Sequence, residues 1–176
     1  MKNKNSTIKK PDGSYYKAFE NGIYYPYLDI KNKLTIGIGH NISKSKIDYS
    51  GGITPEQADN LLQKDINNSL RKSKIFYDDK YGDGEFDKLP MSEQFMLSDY
   101  TFNLGRLSKF PNFTEAIRKK DTDYALEQYK RYAEYDDGTV EELGRNKDFL
   151  EAYLIPWINK TKFGNEKGIP YINANE

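Results

Sequence analysis

Residues 20–40 read ENGIYYPYLDIKNKLTIGIGH. Two carboxylates, Glu20 and Asp29, stand nine residues apart in this stretch, and Thr35 follows six residues later. Cleavage of a glycosidic bond needs such a pair, because one carboxylic acid protonates the leaving oxygen while the other carboxylate activates a water or attacks the sugar. The residues between them are rich in β-branched and aromatic side chains, with Pro, Asn and Gly as turn signals. The stretch therefore predicts a small β-hairpin lobe and sugar-cleaving chemistry.

The composition of the chain narrows the possible functions. At 176 residues the chain suits one domain with its own core, and its 27 basic residues equal its 27 acidic residues. Because the net charge is zero, no general field gathers a polyanion, and nucleic acid is not an expected partner. The absence of cysteine excludes disulfides and thiolate chemistry, and a single histidine excludes a multi-histidine metal cluster. No metal site is therefore predicted.

The two ends of the chain are polar. Residues 1–14 are charged and contain a Pro-Asp-Gly turn signal, so we expect an N-terminal arm there. The N-terminus lacks the apolar core of a signal peptide, and no later stretch is apolar enough to span a membrane. These features predict a protein made in the cytoplasm without a signal peptide. We expect one two-lobed domain over residues 15–160 and a C-terminal tail over residues 161–176.

Helix signals lie on both sides of the hairpin region. Ser14 predicts a helix start and Asn21-Gly22 a helix stop, which places Glu20 in the last helical turn. Thr54-Pro55-Glu56-Gln57 predicts the start of a long helix, with Thr as N-cap, Pro at N1 and Gln completing a capping box. Later helix starts are predicted at Ser92, Thr114, Asp121 and Asn146. The last of these helices is predicted to end before Pro156.

The end of the opening stretch carries two glycines and the single histidine. Gly37 and Gly39 alternate with isoleucines, so bare backbone is predicted on one face of a strand, where a ligand can approach closely. His40 has the chemistry of a base, but a structural hydrogen bond is the favoured role. Its predicted partner is Asp65, because that carboxylate falls on the apolar stripe of the long helix and would be costly to bury unpaired.

Together these residues resemble the phage-type lysozymes, glycoside hydrolase family 24. The catalytic segment of that family is similar to Glu20-x8-Asp29-x5-Thr35 followed directly by Ile36-Gly37-Ile38-Gly39-His40. A second family signature resembles Phe102-Asn103-Leu104-Gly105, and a looser match runs from Arg131-Tyr132 through Gly144-Arg145-Asn146-Lys147 to Glu151. The resemblance covers roughly residues 15–155, which is most of the chain.

The resemblance implies a lysozyme-like α+β fold, in which a small N-terminal β-hairpin lobe is joined by a long helix to a larger helical lobe. It also implies a peptidoglycan muramidase that hydrolyses the bond between N-acetylmuramic acid and N-acetylglucosamine with inversion and without a cofactor. By position, Glu20 is implied as the general acid, and Asp29 with Thr35 as the groups that place the water. A monomer that reaches the bacterial cell wall after release or delivery is expected, with peptidoglycan as its partner.

The remaining predicted site residues have two roles. Substrate contacts are predicted at Gly39, Asn103 and Tyr132, and supporting roles at His40, Asp65 and Arg145. Asn103 is alternatively a helix-end cap, Tyr132 alternatively packs in the core, and Lys147 is the alternative to Arg145 as a cation beside Glu20. For the whole chain two other functions stay open: a catalytically silent relative that binds glycan or serves as a structural piece, and a chitinase-like hydrolase.

Overall fold

The computed structural model of the protein describes residues 7–9, 15–29, 32–134 and 138–164. Two compact units divide the chain, residues 1–68 and 69–176, and their boundary falls within the long helix α1 (Pro55–Tyr81). Short antiparallel strands dominate the described part of the first unit, and helices dominate that of the second. The predicted α+β class is therefore confirmed.

The described part of the first unit contains seven short strands in three antiparallel sheets. They are β1 (Thr7–Lys9), β2 (Tyr15–Lys17), β3 (Phe19–Glu20), β4 (Ile23–Tyr24), β5 (Tyr27–Leu28), β6 (Leu34–Ile36) and β7 (His40–Asn41). Strand β1 pairs with β2, β3 pairs with β4, and the third sheet has the order β5-β6-β7. Residues 7–9 of the predicted N-terminal arm thus form a strand, and the rest of that arm lies outside the described residues.

The helix predicted to end at Asn21-Gly22 is wrong, because residues 15–17 and 19–20 are strands. Asn21 and Gly22 have φ angles of 50° and 79°, and they form the two-residue loop between β3 and β4. Two consecutive positive φ angles are what a type I′ hairpin turn requires, and Asn-Gly is its favoured sequence. A helix end needs only one left-handed residue. Glu20 therefore ends a strand and not a helix.

The core of the first unit is built from β6, the residue after β7, the segment before α1 and α1 itself. The buried residues Ile36, Ile42, Ile53 and Ala58 form this core. Tyr24 and Ile53 exchange both backbone hydrogen bonds at 2.8 Å. Gly52 has a φ of +78°. A Cβ on it would lie 2.8 Å from the Tyr24 carbonyl oxygen and would overlap the side chain of Ile23. The close approach of two backbones therefore requires glycine at position 52.

We expect Gly52→Ala to destabilise the protein by about 2–3 kcal/mol, because alanine at this position combines left-handed strain with a backbone overlap. The matched control is Gly51→Ala, since a Cβ on Gly51 meets no atom within 4 Å and its φ lies outside the left-handed region. Urea denaturation followed by circular dichroism measures both free energies of unfolding. Equal stability of the two variants would show that the segment before α1 relaxes freely.

Helix α1 begins as the sequence predicts. The Gln57 amide donates to Thr54 Oγ1 at 3.2 Å, and the Thr54 amide donates to Gln57 Oε1 at 2.9 Å. This reciprocal pair is the predicted capping box. Pro55 occupies the first helical position, where its missing N–H costs nothing. The capping box is therefore confirmed in both of its hydrogen bonds.

The second unit is mostly helical. After α1 its described elements are α2 (Met91–Leu104), α3 (Pro111–Lys119), α4 (Thr122–Gln128), β8 (Tyr132–Glu134), β9 (Val140–Glu142), α5 (Arg145–Phe149) and α6 (Ile155–Phe163), with 3₁₀ turns at Phe86–Lys88 and Leu107–Lys109 and a π-helical turn at Leu150–Leu154. Tyr100 is central to the core, with its ring 4.5 Å from that of Phe113 and 5.4 Å from that of Phe149. Within the described chain, no helix is long and apolar enough to cross a bilayer.

Among the helix starts predicted for the second unit, the one at Asp121 is confirmed, and those at Ser92 and Thr114 are wrong. Asp121 caps α4 as predicted, because its Oδ1 accepts a hydrogen bond from the Tyr124 amide at 3.0 Å. Ser92 does not cap α2, which begins one residue earlier, at Met91, with no side-chain cap. Thr114 lies inside α3, where its hydroxyl donates to the carbonyl of the residue four positions earlier at 2.8 Å. One proline directly precedes α2, and another is the first residue of α3. These prolines, and not Ser92 or Thr114, mark the starts of the two helices.

Pro156 does not end the C-terminal helix, so that prediction is wrong. The chain continues helically from α5 through the π-helical turn into α6, which ends at Phe163. In an α-helix the proline ring collides with the carbonyl four residues earlier. The wider π turn directly before Pro156 is the kind of local adjustment that accommodates such a residue. Residues 161–163 of the predicted tail are therefore helical, and residues 165–176 lie outside the described chain.

Candidate active site

Glu20 is presented to solvent beside the turn of the β3–β4 hairpin. It is exposed, and its strand partner across the hairpin is Ile23. The Asn21-Gly22 turn follows it directly, so the turn sets the position of its backbone. An exposed carboxyl group at this place is accessible to a large polymer.

Asp29 begins the turn between β5 and β6. Its backbone N–H donates to the Lys33 carbonyl at 3.0 Å, and its carbonyl accepts from the Asn32 amide at 2.9 Å. Its carboxylate oxygen Oδ1 accepts from the Lys33 amide at 2.9 Å. Asn32 has a φ of 54°, which agrees with its predicted place in the turn. One carboxylate oxygen of Asp29 is therefore held by the backbone of its own turn.

Thr35 lies in the middle of β6 and is only 2 % exposed. Its hydroxyl donates to the Lys33 carbonyl at 3.0 Å. Lys33 therefore connects two predicted site residues: its N–H binds the carboxylate of Asp29, and its carbonyl binds the hydroxyl of Thr35. The structure brings these two side chains to one residue of the backbone.

Tyr27 lies beside three predicted site residues, and the sequence analysis did not single it out. It is 5 % exposed and pairs with Thr35 across β5 and β6. Burial raises the pKa of its hydroxyl, the charge of Asp29 raises that pKa further, and a hydrogen bond with the Gly39 backbone lowers it. The same ring thus lies beside Asp29 and Gly39. The available signal was its position two residues before Asp29, because alternate residues of a strand share a face.

Gly37 and Gly39 lie in a turn between β6 and β7, so the strand predicted to contain them is wrong. Their φ angles are 61° and 96°, which side chains rarely adopt. A Cβ on Gly37 would lie 3.1 Å from that of Ala58, so this glycine allows the turn to pack on α1. A Cβ on Gly39 would meet no atom within 4 Å, and open space therefore adjoins the predicted substrate contact.

His40 and Asp65 are in contact as the sequence predicts. His40 Nδ1 and Asp65 Oδ2 are 2.8 Å apart, and the two side chains are 23 % and 28 % exposed. His40 belongs to β7, and Asp65 belongs to the part of α1 that lies within the first unit. The contact joins the third sheet to the helix. It gives this histidine a structural partner.

A double-mutant cycle with His40→Ala and Asp65→Ala is expected to give a coupling energy of about 1 kcal/mol, because the two half-buried side chains are hydrogen-bonded to each other. Urea denaturation of the wild type, both single variants and the double variant supplies the four free energies. The control is a second cycle that combines His40→Ala with Asp59→Ala, because Asp59 is an exposed aspartate of the same helix. Coupling no larger than that of the control would remove the supporting role of the pair.

Three predicted residues belong to the second unit: Asn103, Tyr132 and Arg145. Asn103 lies in the last turns of α2, and its Nδ2 donates to the Asp99 carbonyl and to Asp99 Oδ1, both at 2.8 Å. Tyr132 starts β8 and is 52 % exposed, so the core-packing alternative is wrong. Arg145 is exposed at the start of α5, and Lys147 lies 3.9 Å from Glu151.

A buried arginine lies between these predicted residues. Arg131 is 1 % exposed, forms an ion pair with Asp99, and donates from Nε to Asn146 Oδ1 at 3.1 Å. Asn146 Nδ2 returns a hydrogen bond to the Arg131 carbonyl at 2.9 Å. Asp99 in turn accepts from Asn103, so one network connects this predicted substrate contact to Asn146. Sequence spacing did not predict this network, because Arg131 is 15 residues from Asn146 and 32 residues from Asp99.

A pocket of about 410 Å³ lies in the first unit. Leu28, Leu34 and Tyr49 are among its lining residues, and Glu20, Asp29 and Thr35 are not. Glu20 is exposed, whereas Thr35 is buried, so these predicted catalytic residues differ in their access to solvent.

A family model described as Phage lysozyme matches residues 17–147. The chain belongs to the phage lysozyme family. The matched segment contains every residue predicted for the site, from Glu20 to Arg145, and it extends over both units. A search of curated proteins found no match. Family membership makes the chain a glycoside hydrolase that degrades peptidoglycan and acts on the bacterial cell wall.

Proposed function

We propose that the chain is an inverting muramidase, which hydrolyses the bond between N-acetylmuramic acid and N-acetylglucosamine. Glu20 is the general acid that protonates the leaving oxygen. Asp29 is the general base that removes a proton from the attacking water, and Thr35 helps to position that water. The reaction needs no cofactor, because a proton donor and a proton acceptor suffice for inversion.

The observation that carries this proposal is the shared attachment of Asp29 and Thr35 to Lys33. The N–H of Lys33 holds Asp29 Oδ1 at 2.9 Å, and its carbonyl engages the Thr35 hydroxyl proton at 3.0 Å. The threonine oxygen then offers its lone pairs as acceptors for a water proton. A carboxylate and an acceptor fixed by the same residue provide the preorganised geometry that catalysis by positioning needs.

The stereochemistry of the product tests the proposed role of Asp29. Proton NMR of the sugar released at early times is expected to show the inverted anomer, and Asp29→Asn is expected to lower turnover by about 10²-fold or more because the base is lost. Asp59→Asn, an exposed aspartate of α1, is the matched control and should retain wild-type turnover. A retained anomer would make Asp29 a nucleophile instead.

The same assay separates the alternatives for the whole chain. The wild type is incubated with peptidoglycan and with chitin oligomers in parallel, and we expect new reducing ends to appear with peptidoglycan only. Binding to peptidoglycan without any release would identify a catalytically silent glycan-binding protein. Equal hydrolysis of both polymers would identify a hydrolase that does not read the muramic acid peptide.

A further inference from the structure

The ribbon formed by strands β8 and β9 carries an exposed aromatic ring. Tyr132 is 52 % exposed, and Glu142 is its partner across the two strands. The carboxylate of Glu142 also lies 3.2 Å from Lys130 Nζ. A sugar can stack the C–H groups of one face on a tyrosine ring while its hydroxyl groups bind neighbouring charged groups. The ribbon therefore has the chemistry of a glycan contact.

The ribbon itself is short. Strands β8 and β9 have three residues each, and they pair as a two-stranded sheet. Such isolated pairs of strands are only marginally stable in water. The position of the Tyr132 ring therefore depends on what holds the two strands from outside.

Asn146, in α5, holds the ribbon with all of its hydrogen-bonding groups. This residue is 1 % exposed. Its Oδ1 accepts from the backbone N–H of Arg131 at 3.2 Å and from Arg131 Nε at 3.1 Å. Its Nδ2 donates to the Arg131 carbonyl at 2.9 Å and to Glu142 Oε1 at 3.3 Å. Both lone pairs of the amide oxygen and both amide protons are thus used.

These hydrogen bonds act at the pair of residues that carries the ring. Arg131 directly precedes Tyr132, and Glu142 lies opposite Tyr132 across the ribbon. The Leu143 N–H donates to the Arg131 carbonyl at 3.0 Å, which connects the chain after β9 to the same residue. Arg131 also forms an ion pair with Asp99 of α2. The backbone of Tyr132 is therefore attached to two helices.

We propose that Asn146 is a positioning residue for glycan binding: it fixes β8 and β9 so that the ring of Tyr132 is presented to a sugar of the substrate. Asn146 is buried and acts through Tyr132 without touching the glycan. A contact surface that is already fixed loses less conformational entropy on binding, which raises the affinity. The inference rests on the proposed function for the identity of the ligand, the glycan chain of peptidoglycan.

Soluble glycan chains with uncross-linked peptides are the probe, and calorimetric titration measures their affinity. The protein carries Glu20→Gln, so that the chains bind without being cleaved. Tyr132→Ala is expected to lower the affinity about tenfold, because a stacking contact is lost. Tyr153→Ala is the matched control, since Tyr153 is another exposed tyrosine of the second unit. It should leave the affinity unchanged.

Asn146→Asp tests the positioning role. Aspartate has nearly the same size, but it lacks the donor for the Arg131 carbonyl and places a negative charge beside Glu142. The affinity is expected to fall about fivefold, since the ribbon is no longer held at the ring. In a protein that already carries Tyr132→Ala, the same substitution should cause no further loss. A merely structural role would weaken binding equally with and without the ring, so this coupling identifies positioning.

Three results would overturn the proposal: unchanged affinity in Tyr132→Ala, unchanged affinity in Asn146→Asp, and equal losses from Asn146→Asp with and without the tyrosine ring. If Asn146→Asp does not fold, Glu142→Ala replaces it in the same cycle, because Glu142 is exposed and its substitution removes the bond between β9 and Asn146. Coupled binding by a chain that cleaves no peptidoglycan would support this inference and refute the proposed function. Cleavage together with uncoupled binding would do the reverse.

Discussion

Glu20→Gln is expected to reduce hydrolysis of peptidoglycan by about 10²- to 10⁴-fold, the range that one general acid contributes. The amide has the size of the carboxyl group but cannot donate a proton to the leaving oxygen. Glu20 is exposed at the end of β3, so the substitution should leave the free energy of unfolding nearly unchanged. Loss of turbidity of purified peptidoglycan measures the rate.

The matched control is Glu56→Gln, which replaces an exposed glutamate in the first turn of α1. It removes the same charge from the same unit and should retain wild-type turnover. Circular dichroism of both variants shows whether folding is kept. Turnover of Glu20→Gln at the level of the control would mean that another group protonates the leaving oxygen, and Glu20 would lose the role proposed for it.

The second large effect is expected at Arg131. Arg131→Lys should destabilise the protein by about 3 kcal/mol or more, the cost typical of breaking a buried charged network. Lysine keeps the charge but lacks the planar group that binds Asp99 and Asn146 and lies 4.8 Å from the ring centres of Tyr100 and Phe149. Denaturation in urea gives the free energy of unfolding.

The neighbouring residue supplies the control for Arg131. Lys130 is 46 % exposed and lies 3.2 Å from Glu142, which is 44 % exposed. Lys130→Ala should cost no more than about 1 kcal/mol, because exposed ion pairs are solvated and contribute little. If Arg131→Lys were no more destabilising than this control, the network would not hold the second unit together, and Asn103 would be positioned by other contacts.

Features encoded within a few residues were predictable from the sequence. The capping box at Thr54 and Gln57 and the cap at Asp121 are local hydrogen bonds, and both are present. The contact between His40 and Asp65 was also predictable, because an apolar stripe on α1 contained one carboxylate and only one histidine was available.

Other features could not be assigned because one local signal has two physical meanings. Asn21-Gly22 fits a helix end and a hairpin turn equally well, and the aromatic residues before it favour strands. The chain forms the hairpin, so Glu20 lies in a strand and not in the predicted helix. Arg131, Asp99 and Asn146 meet only through tertiary packing, so no pattern along the chain predicts their network.

Because of the π-helical turn at Leu150–Leu154, the effect of deleting one residue from this helix depends on which residue occupies position 156. A π turn holds one residue more than an α-helical turn, so deleting the exposed Ala152 would leave α6 facing the same core. Elsewhere in a helix, a deletion rotates all later residues by about 100° and would turn Trp157 away from that core. The shortened helix would, however, place a carbonyl against the ring of Pro156. Deletion and loss of this proline are therefore expected to occur together in evolution.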